Sequence, residues 1–158
     1  MTDAAPVITV DSLIASLDET LAEFNAILDQ LGPAFETASS PAGWSPRQVL
    51  SHVIGTWQRI PFQAAYFLTD AKDIPVVYHD PFWITEYTNA PLAAFRASLL
   101  AAAEGIKGFL RNLPEGAIYR TINLPDWGET PMVAFLSSNL NGHVRKMHIS
   151  QLREFLPK

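Results

Sequence analysis

The chain has 158 residues, of which 48% are hydrophobic, and a formal net charge of −5 at pH 7. That length is ordinary for one domain, residues 1–158, and the apolar fraction fills a core without staples. The absence of cysteine excludes disulfides, thiolate metal ligands and a cysteine nucleophile. No basic stripe is present, so nucleic acid is not an expected partner. No apolar run approaches the roughly 18 residues of a membrane span, so no membrane is expected either. The opening stretch, MTDAAPVITVDSL, lacks the basic and apolar regions of a signal peptide. The expectation is a soluble, cytoplasmic protein.

The first helix is predicted to begin near Asp11, a good capping residue. Leu13, Leu17, Leu21, Phe24, Leu28 and Leu31 follow at spacings of three or four, which marks an apolar seam on one face. Gly32-Pro33 ends it, and residues 34–43 read as a connection. The second helix has a clear entry. Ser45 caps it, Pro46 fits the first turn, and Gln48 completes the spacing of a capping box. Val49, Val53, Trp57, Ile60 and Ala64 form its apolar face, with a kink expected at Pro61. A polar row borders that face: His52, Thr56, Arg59 and Gln63. The helix should fade near residues 67–69.

Residues 70–89 show no sustained period and carry Tyr78, His79, Asp80, Phe82, Trp83 and Tyr87. Fully extended, such a segment spans more than about 60 Å, whereas a helix of two dozen residues is about 36 Å long. It can therefore cross a bundle end to end and leave the second and third helices parallel. The third helix carries Leu92, Phe95, Leu99, Ala102, Ile106, Phe109 and Leu113, an unbroken alternation of three and four. Pro114 ends it. Residues 115–129 form another long connection, with Tyr119 and Trp127 and a short extended piece at residues 121–124.

The fourth helix is predicted to start with Thr130 as cap and Pro131 in first position. Val133, Leu136, Leu140, Val144, Met147 and Phe155 define its inner face. Arg145, Lys146 and Arg153 point outward. Ser137, Asn141, His148 and Gln151 are polar residues within or beside the inner face. Four seamed helices predict an all-α four-helix bundle.

Two stretches resemble the DinB/YfiT-like bundles. GWSPRQVLSHV, residues 43–53, is similar to that family's second-helix signature, a Trp-Ser entry with histidine seven residues after the serine. HISQL, residues 148–152, resembles the ending of its fourth helix. The resemblance implies an up-down-down-up bundle over nearly the whole chain. It also implies a divalent metal, zinc, nickel or iron, held by one histidine on helix 2 and two on helix 4 spaced i, i+4. His52 and His148 match the first and last ligands. The middle ligand falls on Val144, so an altered site is expected, with or without metal.

In an α-helix, residues five apart are turned about 140° from each other. His143 is therefore expected to be a solvated flank residue, not a co-ligand of His148. His79 is the candidate third ligand, with Asp80 beside it. The competing reading of His148, second to an inherited metal position, is a buried histidine donating to Asn141, Gln151 or a backbone carbonyl. His52 reads also as a boundary histidine beside Arg59. Asn141, Val144, Gln151, Thr56, Arg59 and Trp57 would line a pocket, with Arg59 as a carboxylate clamp or an ordinary surface residue. Trp44, Trp83 and Trp127 are either packing or further pocket wall.

The resemblance implies a metal-dependent hydrolase or a low-molecular-weight thiol transferase acting on a small molecule. The competing reading is a non-catalytic binding or structural bundle with a degenerate site. Apolar residues on the helix flanks, such as Phe62 and Leu100, would fit a homodimer interface.

Overall fold

A computed structural model of the chain describes residues 7–32, 34–37, 44–69, 90–124 and 128–156. The long segment with His79, Asp80 and Trp83, and Trp127 in the later connection, lie outside the described residues.

Helix α1 spans Val10–Leu31. Its cap is Thr9, not Asp11: the Ser12 amide donates to Thr9 Oγ1 at 3.1 Å and the Thr9 amide to Ser12 Oγ at 2.8 Å. Serine at the third helical position can return the bond that Glu or Gln usually makes, which a search for Asp-type caps misses. Gly32, at φ 47°, stops the helix in a backbone region that L side chains rarely adopt. A single helical turn, α2, Ala34–Thr37, occupies part of what the sequence suggests is only a connection. Phe35 explains it: the ring is buried edge-on against Phe95 at 5.3 Å.

Helix α3, Pro46–Leu68, has the expected Ser45–Gln48 capping box and continues through Pro61. Helix α4, Leu92–Arg111, buries Phe95, Leu99, Ala102 and Ile106, and adds Ala103 and Leu110 to the seam. A 3-10 turn at Ala117–Tyr119 leads into an antiparallel hairpin of β1, Thr121–Leu124, and β2, Gly128–Pro131. Thr130 and Pro131 therefore belong to a strand rather than a helix start. Thr130 pairs with Ile122, and the following helix begins at Met132, whose amide donates to Arg120 O at 2.9 Å.

The C-terminal helix runs from α5, Met132–Ser137, through two π segments, Ser138–Gly142 and Val144–Ile149, to α6, Ser150–Arg153. Side-chain pairings fix how the bundle is threaded. Lys107 meets Asp18 while Arg96 meets Asp29, so α4 runs opposite to α1. Phe67 packs on Phe135 and His52 on His148, so α3 runs opposite to the C-terminal helix. Thr20 meets Asn141, and Glu23 meets Arg153, so α1 and the C-terminal helix run together. The order is up-down-down-up, with α3 and α4 parallel across residues 69–91.

The four long helices share one core, with Leu17, Phe24, Val53, Trp57, Phe95, Leu99, Leu136 and Leu140 all at 0% exposure. Each such side chain contributes about 1.5–3 kcal/mol by leaving water. Among the described residues, no helix is long and apolar enough to cross a membrane.

Candidate metal centre

The C-terminal helix departs from α geometry where its sequence is weakest for a helix. Ser137, Ser138, Asn139, Asn141 and Gly142 all lie within six residues, and their side chains compete for backbone partners or loosen the backbone. Asn139 Nδ2 donates to Phe135 O at 2.8 Å, the carbonyl that its own amide would use in an α-helix. Further on, the His143 amide donates five residues back, to Ser138 O. An i→i+5 bond widens the turn and brings residue i+5 back over residue i.

That register decides the fate of the two histidines. His143 and His148 are not turned apart, as α-helical spacing predicts. Their Nε2 atoms lie 3.1 Å from each other. His143 remains exposed, as expected of a flank residue, but its ring faces His148 edge-on with centroids 4.8 Å apart. The same register change corrects the inner face. Met147 is 50% exposed and Ile149, absent from the predicted seam, is fully buried.

His52, half-buried on α3, faces His148 with ring centroids 4.7 Å apart. One ligand atom from each of His52, His143 and His148 lies within 4.8 Å of the other two. Two nitrogens bound to zinc at about 2.05 Å in tetrahedral array are about 3.3 Å apart. The His143–His148 pair already has that spacing, and His52 offers a nitrogen within 4.8 Å of both.

Electrostatics suit the same chemistry. Burial pushes His148 down to about 4, against a weaker upward pull from Gln151 and with smaller downward contributions from His52 and His143. Burial pushes His52 down to about 4 as well, reinforced by the nearby charges of His143 and Arg59. Burial also lowers His143. Three imidazoles kept neutral near pH 7 present lone pairs rather than charges, which metal coordination requires. His148 Nδ1 donates to Gln151 Oε1 at 2.9 Å, so its Nε2 carries the lone pair, which faces His143 Nε2 at 3.1 Å. Trp44 stacks nearly parallel on His148, at 6.2 Å and 4°, and meets His52 at 5.3 Å. It closes one side of the cluster with an apolar wall.

The remaining predicted site residues are distributed differently. Val144, at the expected position of the middle ligand, is 1% exposed within the hydrophobic core and does not stand among the imidazoles. Asn141 is buried against α1, where Thr20 Oγ1 reaches its side chain at 3.2 Å; with its amide turned, the nitrogen donates to Ser16 O at 3.1 Å. Trp57 is fully buried against Phe24. Thr56 and Gln63 are buried on the His52 face of α3, with Arg59 between them half-buried. α-Helical geometry turns His143 away from His148, which is why the five-residue spacing does not reveal it as a neighbour. The signal available was the Ser-Ser-Asn-Leu-Asn-Gly run just before it.

No protein-family model matches the sequence, and no curated protein matches it. Among solved structures, the chain is similar to YfiT from Bacillus subtilis, with a TM-score of 0.76, 18% identity, and coverage of 98% of this chain and 90% of that one. The chain has the YfiT fold. YfiT is described as a probable metal-dependent hydrolase with an unusual four-helix bundle topology. The parallel α3–α4 arrangement derived above is an up-down-down-up threading rather than a simple alternating bundle. The YfiT-like resemblance in the second- and fourth-helix motifs thus holds for the fold of nearly the whole chain.

Proposed function

We propose that the protein is a metal-dependent hydrolase in which His52, His143 and His148 would hold one divalent ion. The observation that carries this reading is the convergence of three neutral imidazoles from two helices, within 4.8 Å of one another. Three protein ligands leave a coordination position for a small molecule, the pattern of catalytic rather than structural zinc. A divalent ion there would supply Lewis acidity and make water a usable nucleophile near neutral pH.

The chain's own residues do the rest. Gln151 holds the tautomer and direction of His148 through Nδ1. Trp44 keeps bulk water from the His52–His148 side, which strengthens every polar contact inside. His143 sits at the solvent edge, where substrate enters. The neutral imidazole set suits zinc, nickel or iron. We place hydrolysis ahead of transfer to a low-molecular-weight thiol because the structural neighbour is described as a hydrolase.

The test is the metal content of untagged protein, followed by ester and amide hydrolysis with and without chelator. Close to one zinc, nickel or iron per chain is expected, falling sharply in His52→Ala, His143→Ala and His148→Ala. Negligible metal content together with no binding on titration overturns the reading and favours a non-catalytic bundle.

A further inference from the structure

An open groove of about 640 Å³ runs along the outside of the C-terminal helix, and His143 is part of its wall. Ile8, Ala134 and Met147 give it an apolar floor, and Ser137, Ser138 and Lys146 give it polar groups. That volume is enough for a small molecule held on one side and open to solvent on the other. Three of its features ask for a ligand. Ile8 and Met147 are 38% and 50% exposed, so apolar surface is left facing water. Ser137 and Ser138 line the groove as well, and the Ser137 side chain makes no capping bond to the helix that follows it.

Lys146 is the third feature. The neighbouring cations are engaged: Arg145 meets Glu19 and Glu23, and Arg153 meets Glu23. Lys146 has no carboxylate partner among the described residues, and it stands three residues after His143, one turn away. Lys146 lines the groove together with His143. Positive charge at one end, apolar surface along the length and a histidine of the cluster in the wall together define one kind of occupant.

We propose that this groove binds a small amphipathic carboxylate, and that such molecules are the substrate class of the histidine centre. The carboxylate sits on Lys146. The aliphatic body lies along Met147, Ile8 and Ala134, and the serine hydroxyls take a polar group further along. The groove's volume of about 640 Å³ has room for a chain of several carbons with its scissile group turned toward His143. The second half of this proposal rests on the metal-dependent reading above; the binding itself does not.

The probe is hexanoate, titrated into metal-free protein carrying methyl-labelled methionine and followed by NMR. Met147 lies in the groove and Met132 is fully buried outside its lining, so each reports on a different region. Hexanoate is expected to shift the Met147 methyl saturably and leave Met132 in place. Lys146→Gln should raise the dissociation constant about tenfold, and hexan-1-ol should bind about tenfold more weakly than hexanoate. An unmoved Met147, an unchanged dissociation constant in Lys146→Gln, or equal binding of the alcohol overturns the proposal. Zinc affinity measured on the same preparation separates the two readings. Zinc without hexanoate binding removes the groove proposal alone. Hexanoate without zinc binding removes the metal reading and leaves the groove as a carboxylate site.

Discussion

His143 and His148 are five residues apart in the chain, yet their Nε2 atoms are 3.1 Å apart. The π segments convert an i, i+5 spacing into a shared site, while Val144 turns into the core at 1% exposure. On the proposed three-histidine reading, His143→Ala should weaken zinc binding at least about a hundredfold, with little loss of stability at an exposed position. Val144→His, which α-helical spacing suggests as a repair, should not restore binding in that background. It should instead destabilise by roughly 2–4 kcal/mol, since it forces a polar ring into close-packed apolar surroundings. Chelator competition and urea unfolding read the two effects. Restored zinc affinity in the double variant would show that the helix can revert to α register.

Gln151 is coupled to the site through a single bond, His148 Nδ1 to its Oε1 at 2.9 Å. Gln151→Leu keeps much of the volume and removes the acceptor. Zinc affinity should fall about 10- to 100-fold, the usual effect of losing the partner that orients a ligating imidazole. Gln151→Glu keeps an acceptor and should retain most of the affinity. Equal loss in both variants would point to packing rather than orientation.

The elements that could be read from sequence are those where one local rule acts alone. The Ser45–Gln48 capping box and the 3-4 alternation from Leu92 onward describe α3 and α4 because nothing tertiary competes with them. The parallel α3–α4 pair followed from the length of the intervening segment. Three features were illegible for a common reason: a nonlocal or side-chain contact overrides the local pattern. Phe35 winds a turn of helix because Phe95 receives its ring. Thr130 leaves its capping role for a strand because Ile122 pairs with it. The π register follows from Asn139 bonding the Phe135 carbonyl, which no hydrophobic periodicity records. Thus the family resemblance pairs His52 with His148, whose rings are 4.7 Å apart, while a 3.6-residue turn separates His143 from them.

Trp44 provides an optical handle on the centre. Its indole stacks on His148 and stands 5.3 Å from His52, whereas Trp57 is buried against Phe24. Nickel or copper held by the three histidines should quench Trp44 at short range. Trp44→Phe should remove most of the quenching while leaving the metal stoichiometry unchanged. Quenching that survives Trp44→Phe, or that disappears in Trp57→Phe, would locate the ion elsewhere.

Lys107 tests the electrostatics of the α1–α4 contact. It is 8% exposed and meets Asp18 across the interface and Glu104 on its own helix at 2.7 Å. Hydrogen bonds to Asp18 and then Glu104 raise it above 10.5, outweighing burial, with the two carboxylate charges adding to the rise. A lysine raised in the folded state binds its proton more tightly there than in the unfolded chain. Its stabilisation is complete below 10.5 and is lost as pH climbs through the higher folded value. Both carboxylates are half-exposed, so the contribution is on the order of 1 kcal/mol or less. Lys107→Met keeps the buried stem and removes the charge. The urea midpoints of wild type and Lys107→Met should differ modestly at pH 9 and converge as pH climbs through the raised folded-state value. A difference that stays constant across that range would assign the lysine's effect to packing instead of charge.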